Sequence, residues 1–168
     1  GGGGGGGGGW GHLALQFLDA WGCEVVAFSS DPSKVAEVES LGADRVVNSR
    51  DPGAIAALAG TLDMILVTAN ADLDWGAYLQ ALKPKGRLHF VGVAPSPIST
   101  HVFPLIAAQK SISGSPLGSP STLQKMLGFA ARHGIAPVVE VYPFSEVEAA
   151  MRRLREGKPR YRVVLQHP

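Results

Sequence analysis

Two clusters of residues in this sequence have the types and spacing to hold a phosphorylated nucleotide. The first is Gly6-x-Gly8-x-x-Gly11. Glycines at this spacing let a backbone approach a pyrophosphate, and the helix they open offers free N–H groups and a positive dipole end. Because two of its three glycines lie inside a run of nine, Gly1 to Gly9, the match is partly automatic. Context gives it weight: Trp10-Gly11-His12-Leu13-Ala14-Leu15-Gln16-Phe17 reads as a helix and a strand follows, the order a dinucleotide fingerprint requires. The second cluster stands where the second strand of such a unit ends. An Asp or Glu about 20 residues beyond the glycines accepts from a ribose 2′-hydroxyl and selects NAD. Here the place is held by Ser29 and Ser30, with Lys34 one helical turn on. Two hydroxyls and an ammonium suit a 2′-phosphate, so the cluster points to NADP. Asp31 would repel that phosphate and is better used capping a helix that begins at Pro32.

Other chemistry is poorly represented. Cys23 is the sole cysteine, which excludes a disulfide framework and a cysteine-rich structural zinc site. Its place before a strand predicts a small core residue. The histidines, His12, His89, His101, His133 and His167, are dispersed, and no pair has metal-ligand spacing. No metal ligand and no catalytic residue can be assigned. With 15 Lys+Arg against 14 Asp+Glu the net charge is +1, and no block of either sign suggests nucleic acid or a membrane surface. No apolar run reaches the roughly 18 residues a membrane span needs. The chain opens on glycines, not on a charged and then apolar leader. A cytoplasmic, reducing setting is expected.

The 168 residues suffice for one domain with a core, or one domain plus a small lobe. Apolar residues recur at helical spacing at Leu13, Phe17, Leu18 and Trp21, and Gly22 closes that helix. Glu24 to Phe28 reads as a buried strand, Asp31-Pro32 as the start of a helix ending at Gly42, and Arg45 to Val47 as a strand. A helix over Pro52 to Ala59, a strand over Asp63 to Thr68 and a helix over Asp74 to Leu82 follow. Lys83-Pro84-Lys85-Gly86 reads as a turn before a strand over Arg87 to Val93. A short helix over Phe103 to Gln109 precedes a short strand over Ser111 to Gly114. Strands alternating with helices predict βαβ units, a parallel sheet and right-handed crossovers. Beyond Ser119 come a helix to Arg132 closed by His133-Gly134, a strand over Val138 to Tyr142, a helix over Ser145 to Glu156 and a strand over Arg160 to Leu165. Ser145 and Glu148 have capping-box spacing. The fold class is therefore α/β: a Rossmann-type doubly wound parallel sheet with a C-terminal helix–strand–helix–strand extension. The dinucleotide domain is expected over 1–118, with 1–5 read as linker or placeholder glycines, and the extension over 119–168.

Gly8 to Phe17, Ala27-Phe28-Ser29-Ser30 with Lys34, and Leu41-Gly42-Ala43-Asp44-Arg45-Val46-Val47-Asn48-Ser49-Arg50 together resemble the zinc-dependent medium-chain alcohol dehydrogenases. The resemblance is to the branch of cinnamyl-alcohol-dehydrogenase-like, NADP-dependent aldehyde reductases. Leu82 to Leu88, Val91-Gly92-Val93, Ser113-Gly114-Ser115 and Arg160 to Val164 continue it, so that it runs from about Gly6 to the C-terminus. Two features depart from the pattern. Trp10 stands where the family has leucine, and Gly1 to Gly5 stand where it has an apolar first strand.

The resemblance implies roles residue by residue. Gly6, Gly8, Gly9 and Gly11 would form the pyrophosphate loop, and Ser29, Ser30 and Lys34 would read the 2′-phosphate. Thr68 and Ala69 would lie near the ribose and nicotinamide. Val91, Gly92 and Val93 would face the nicotinamide, while the Ser113, Gly114 and Ser115 backbone would hold its carboxamide. Arg162 would lie near the pyrophosphate. It implies hydride transfer between NADP(H) and a small alcohol or aldehyde, with zinc held only by a preceding catalytic domain that this chain lacks. The segment 119–168 would pack against that domain, and two cofactor domains would join through the sheet edge near Ser111 as a homodimer. Alternatives are a zinc-independent quinone reductase of the same superfamily and a nucleotide-binding regulatory module. A methyltransferase-like domain would want an acid at the end of the second strand, where Ser29 stands.

Overall fold

A computed structural model describes residues 9–116, 118–156 and 162–166. Helix α1 (Gly9–Ala20) leads into strand β1 (Val26–Ser29). A 3₁₀ turn (Pro32–Lys34) and α2 (Val35–Ser40) return the chain to β2 (Arg45–Asn48). Then follow α3 (Pro52–Ala56), β3 (Leu62–Val67), α4 (Trp75–Ala81), β4 (Leu82–Phe90), α5 (Phe103–Ala108) and β5 (Ser111–Gly114). The extension comprises α6 (Pro120–His133), β6 (Val139–Pro143), a 3₁₀ turn (Phe144–Glu146), α7 (Val147–Arg155) and β7 (Arg162–Gln166). The residues Gly1 to Gly5, expected from the resemblance to replace a central strand, and Arg160, expected to begin the last one, lie outside the described residues.

Among the described residues every strand pair is parallel, as the βαβ alternation predicts. Among the described residues β1 pairs with β2, β3-β4-β5 form a second ladder in that order, and β6 pairs with β7. The first two ladders share one core. Val26 and Phe28 of β1 join Ile65 and Val67 of β3, Leu88 of β4, and Trp75, Tyr78 and Leu79 of α4. The opposite face of β1, Ala27 with the preceding Val25, packs on Leu15 of α1 and Val38 of α2. Both faces of β1 are thus buried under helices, the condition that makes a doubly wound strand a continuous apolar run rather than an alternating one.

Local signals set the element boundaries. Asp31, Asp51, Asp74 and Ser119 each cap the helical turn that follows by accepting a backbone N–H. Gly42 ends the α2 turn at φ 117°, and a Cβ there would lie 2.6 Å from the Asp19 Cβ of α1. Both the backbone angle and the close approach require glycine. Lys83 to Gly86 fall within β4 as an irregularity: Leu62 pairs with Leu82 and Met64 with Arg87. The expected turn is therefore looped out of a strand that starts earlier than predicted and stops at Phe90, short of Val93.

Three further expectations are corrected. The Ser145–Glu148 capping box does not form: the 3₁₀ turn occupies 144–146 first, and Glu146 stands at the N-cap of α7 without a side-chain bond. Cys23 is exposed rather than core, because the chain turns at the surface before β1 becomes buried at Val25. Among the described side chains of α1, His12 and Leu15 are buried and Leu18 packs partly on the same core, while Phe17 and Trp21, just past the helix, stack on Phe129 of α6 at centroid distances of 5.9 and 5.0 Å.

One core residue makes a prediction. The Tyr78 hydroxyl is buried with no hydrogen-bond partner among the described residues. Burial, assisted by the Asp74 carboxylate, pushes its phenol above the ordinary value. The folded state favours the neutral phenol, so its contribution to stability is intact below the ordinary value of about 10 and is lost as pH rises beyond it. Tyr78→Phe is expected to stabilise the chain by about 1 kcal/mol and raise Tm by about 2–4 °C. It should also lessen the alkaline loss. Thermal melts of both proteins at neutral pH and above pH 10 check it, and a lower Tm for the variant would contradict it.

Candidate functional site

The carboxyl ends of β3, β4 and β5 converge with the first turn of α1. The Thr68 Oγ1 would lie 3.4 Å from a Cβ placed on Gly11. Gly92 lies closer still. A Cβ there would lie 2.4 Å from the Ala69 carbonyl oxygen and 2.8 Å from the Thr68 carbonyl carbon and oxygen. The N–H groups of Val91 and Gly92 both donate to the Val67 carbonyl at 3.0 Å, which turns the chain off β4 across the end of β3. Ser115 N–H donates to the Phe90 carbonyl at 3.1 Å and brings the end of β5 alongside. Gly11, Thr68, Ala69, Gly92 and the 113–115 segment therefore line one end of the sheet. That is where parallel α/β sheets bind ligands. Gly9 is the first residue of α1, whereas Gly6 and Gly8 lie outside the described residues.

Two side chains hold the loops at this end together. Asn70 Oδ1 accepts the Val93 N–H at 2.8 Å. The Asp72 carboxylate accepts the Ser96 N–H at 3.0 Å and the Ser96 hydroxyl at 2.8 Å. Sequence reasoning missed both, although the position of Asn70 just past a strand end was a usable signal.

At the end of β1, Ser29 is buried. Its Oγ accepts the Asp31 N–H at 3.2 Å and lies 3.3 Å from the Asp31 carbonyl, to which it donates. Asp31 caps as expected. The hydroxyl of Ser33 donates to its carboxylate at 2.6 Å and the Ser33 N–H at 2.9 Å, and together they hold the exposed carboxyl below its ordinary range. Lys34 and Arg50 act on the same carboxylate as nearby positive charges. Arg50, just beyond β2, is a cation that the sequence reading left out, since its nearness to β1 depends on strand pairing.

Arg162 begins β7. Its N–H donates to the Val138 carbonyl at 3.3 Å, and the Val138 N–H donates to His12 Nε2 at 3.1 Å. Arg162 is thereby tied through two hydrogen bonds to the first turns of α1. His12, one of the dispersed histidines assigned no role from sequence, is the buried anchor of that tie. Among the described residues no group of three His, Cys, Asp or Glu could hold a metal ion, and no helix is long and apolar enough to cross a membrane.

Parallel strands, helices on both faces of β1, and glycines at the carboxyl end of the sheet beside the first turn of a helix define a Rossmann-type architecture. The particular family follows from comparison: the zinc-binding dehydrogenases match residues 9–132, and this chain belongs to that family. It is 51% identical over 157 residues to aldehyde reductase AdhA of Synechocystis sp., covering 94% of this chain and 47% of that protein. It is 40% identical over 156 residues to cinnamyl alcohol dehydrogenase 7 of Oryza sativa subsp. japonica, covering 92% and 41%. A solved cinnamyl alcohol dehydrogenase of Sorghum bicolor superposes with a TM-score of 0.89 at 36% identity, over 97% of this chain and 46% of that one. The chain spans about half the length of the curated relatives it matches.

Proposed function

We propose that this chain binds NADP(H) as the cofactor half of an enzyme that transfers hydride between that cofactor and a small alcohol or aldehyde. The observation that carries the reading is the convergence of Gly11, Thr68, Ala69 and Gly92 at the carboxyl end of the sheet beside the first turn of α1. The solved CAD of Helicobacter pylori, 27% identical with a TM-score of 0.77, is a complex with NADP(H).

The residues fit such a group. Gly92 lets the chain leaving β4 lie directly against the Thr68 and Ala69 backbone, which a Cβ would push aside, and Gly9 and Gly11 open α1 where a pyrophosphate would gain the helix N–H groups. Ser29, Ser30 and Lys34 would stand by the 2′-phosphate, where Arg50 would add charge. Val91 and Val93 would shield the nicotinamide from water, Ser113 to Ser115 would hold its carboxamide, and Arg162 would neutralise pyrophosphate. The bound nicotinamide would supply or accept the hydride. Zinc has no ligand set among the described residues and is assigned to a catalytic domain outside this chain, against which 119–168 would pack. The cytoplasm suits the exposed thiol of Cys23.

Calorimetric titration tests the reading. NADPH should bind more tightly than NADH. Equal affinities would remove the 2′-phosphate assignment, and binding of neither would remove the cofactor role.

Self-association is a second expectation. β5 is the edge of its ladder, and Val102, Phe103 and Ile106 of the adjoining segment are exposed. An exposed edge is a template for pairing, and twofold symmetry would make the contact self-complementary. Sedimentation should find a dimer that Phe103→Asp dissociates. A monomer at high micromolar concentration would count against it.

A further inference from the structure

We infer that His89 is a positioning residue for the nicotinamide end of the cofactor, acting through Ser113 and Ser115. The inference rests on the cofactor reading above and deepens it. His89 pairs with Ser113 across the β4–β5 ladder. Its side chain lies on the face opposite Leu88, which is fully buried in the core. Ser113 and Ser115, two residues apart on one strand direction, present their hydroxyls to that same face. The imidazole joins them: Nδ1 lies 2.8 Å from the Ser113 Oγ and Nε2 lies 2.8 Å from the Ser115 Oγ.

This arrangement uses both ring nitrogens. A neutral imidazole has one donor and one acceptor, so one serine accepts from the ring and the other donates to it. Serine hydroxyls rotate to suit either tautomer. Ser115 lies beyond the last residue of β5, where the parallel ladder ends and Pro116 leads the chain away. Past Gly114 the backbone keeps one further ladder bond, Ser115 N–H to Phe90 C=O. The ring supplies the second tie, from a side chain on the neighbouring strand. It therefore restrains the short segment to which the cofactor reading gives the carboxamide, without itself touching the adenylate end near Ser29.

The position of the tie predicts an effect confined to one end of the ligand. NADPH and adenosine 2′,5′-bisphosphate, which lacks the nicotinamide half, are titrated into the wild-type protein, His89→Leu, His89→Gln and the double variant Ser113→Ala/Ser115→Ala. His89→Leu and the double variant should bind NADPH about tenfold more weakly, the equivalent of about 1.4 kcal/mol. They should also lose the enhancement of nicotinamide fluorescence, while bisphosphate affinity stays unchanged. His89→Gln, whose amide keeps a donor and an acceptor, should recover most of the loss. Wild-type NADPH affinity and fluorescence in both the leucine and the double variant would overturn the inference. So would an equal weakening of both ligands, which would mark a general effect on the fold. Failure of the wild-type protein to bind NADPH at all would instead overturn the cofactor reading beneath it.

Discussion

Ser29→Asp is expected to exchange the cofactor preference of this chain. The wild-type serine keeps the Asp31 N–H satisfied through its Oγ. An aspartate can accept that same N–H with one carboxylate oxygen and turn the other toward a ribose 2′-hydroxyl, the role an acid plays at this place in NAD-binding domains. The same charge repels a 2′-phosphate and competes with it for Lys34 and Arg50, the cations grouped around Asp31. Hydrogen bonds to a charged phosphate contribute about 1.5–3 kcal/mol each, so NADPH affinity should fall about a hundredfold. NADH affinity should rise. Because Ser29 is buried, the added carboxylate should also lower Tm. Lys34→Ala is the complementary variant: it should weaken NADPH and leave NADH alone. Unchanged affinities for both cofactors in Ser29→Asp would show that the end of β1 does not read the ribose.

Gly92→Ala should be the most damaging single methyl added to the site. Its Cβ would meet the backbone of Thr68 and Ala69 at 2.4 to 2.8 Å, and backbone at the end of a paired strand cannot swing away as a side-chain tip can. Overpacking of this kind costs about 1–3 kcal/mol, which for a chain of this size lowers Tm by several degrees, about 4–8 °C for 2 kcal/mol. Gly86→Ala makes the informative comparison. A Cβ there would lie 2.8 Å from the Lys83 carbonyl oxygen, but at the irregularity in the middle of β4 rather than past its carboxyl end. Both variants should melt early. Only Gly92→Ala should also weaken NADPH, by more than about tenfold. Equal cofactor affinities in the two folded variants would detach Gly92 from the site.

What could be read in advance was whatever a short stretch of chain decides by itself. Asp31-Pro32 and Ser119-Pro120 carry their helix starts in adjacent residues, and the structure has both caps. β1 was legible because a strand buried on both faces is an uninterrupted apolar run, and β3 because its apolar stretch ends in the buried Ile65 and Val67. The Ser145–Glu148 box failed although its spacing was correct, because the 3₁₀ turn at 144–146 used those residues first. Cys23 was misjudged because one residue separates surface from core at the entry to β1. The site residues that escaped notice, Arg50, Asn70 and His89, depend on partners brought near by strand pairing or by loops crossing the sheet end. His89 and Ser115 are 26 residues apart, and nothing in either neighbourhood announces the other.

Helix α1 has two attachments with separate consequences. Its first turn borders the sheet end to which the proposed function gives the nucleotide, and its flank and the residue just past its end carry the C-terminal extension through His12 to Val138, Gln16 to the Ala136 carbonyl, and Phe17 and Trp21 to Phe129. Two attachments on one helix are thermodynamically linked to the extent that the helix has more than one seating. If a nucleotide prefers one seating of this helix by some factor, docking of the extension must change nucleotide affinity by the same factor. The linkage is as large as the difference in affinity between the two seatings and no larger. Trimming the Phe129 ring would thus alter affinity at a cleft it never touches, and a saturating nucleotide would alter the melting of an extension it never touches.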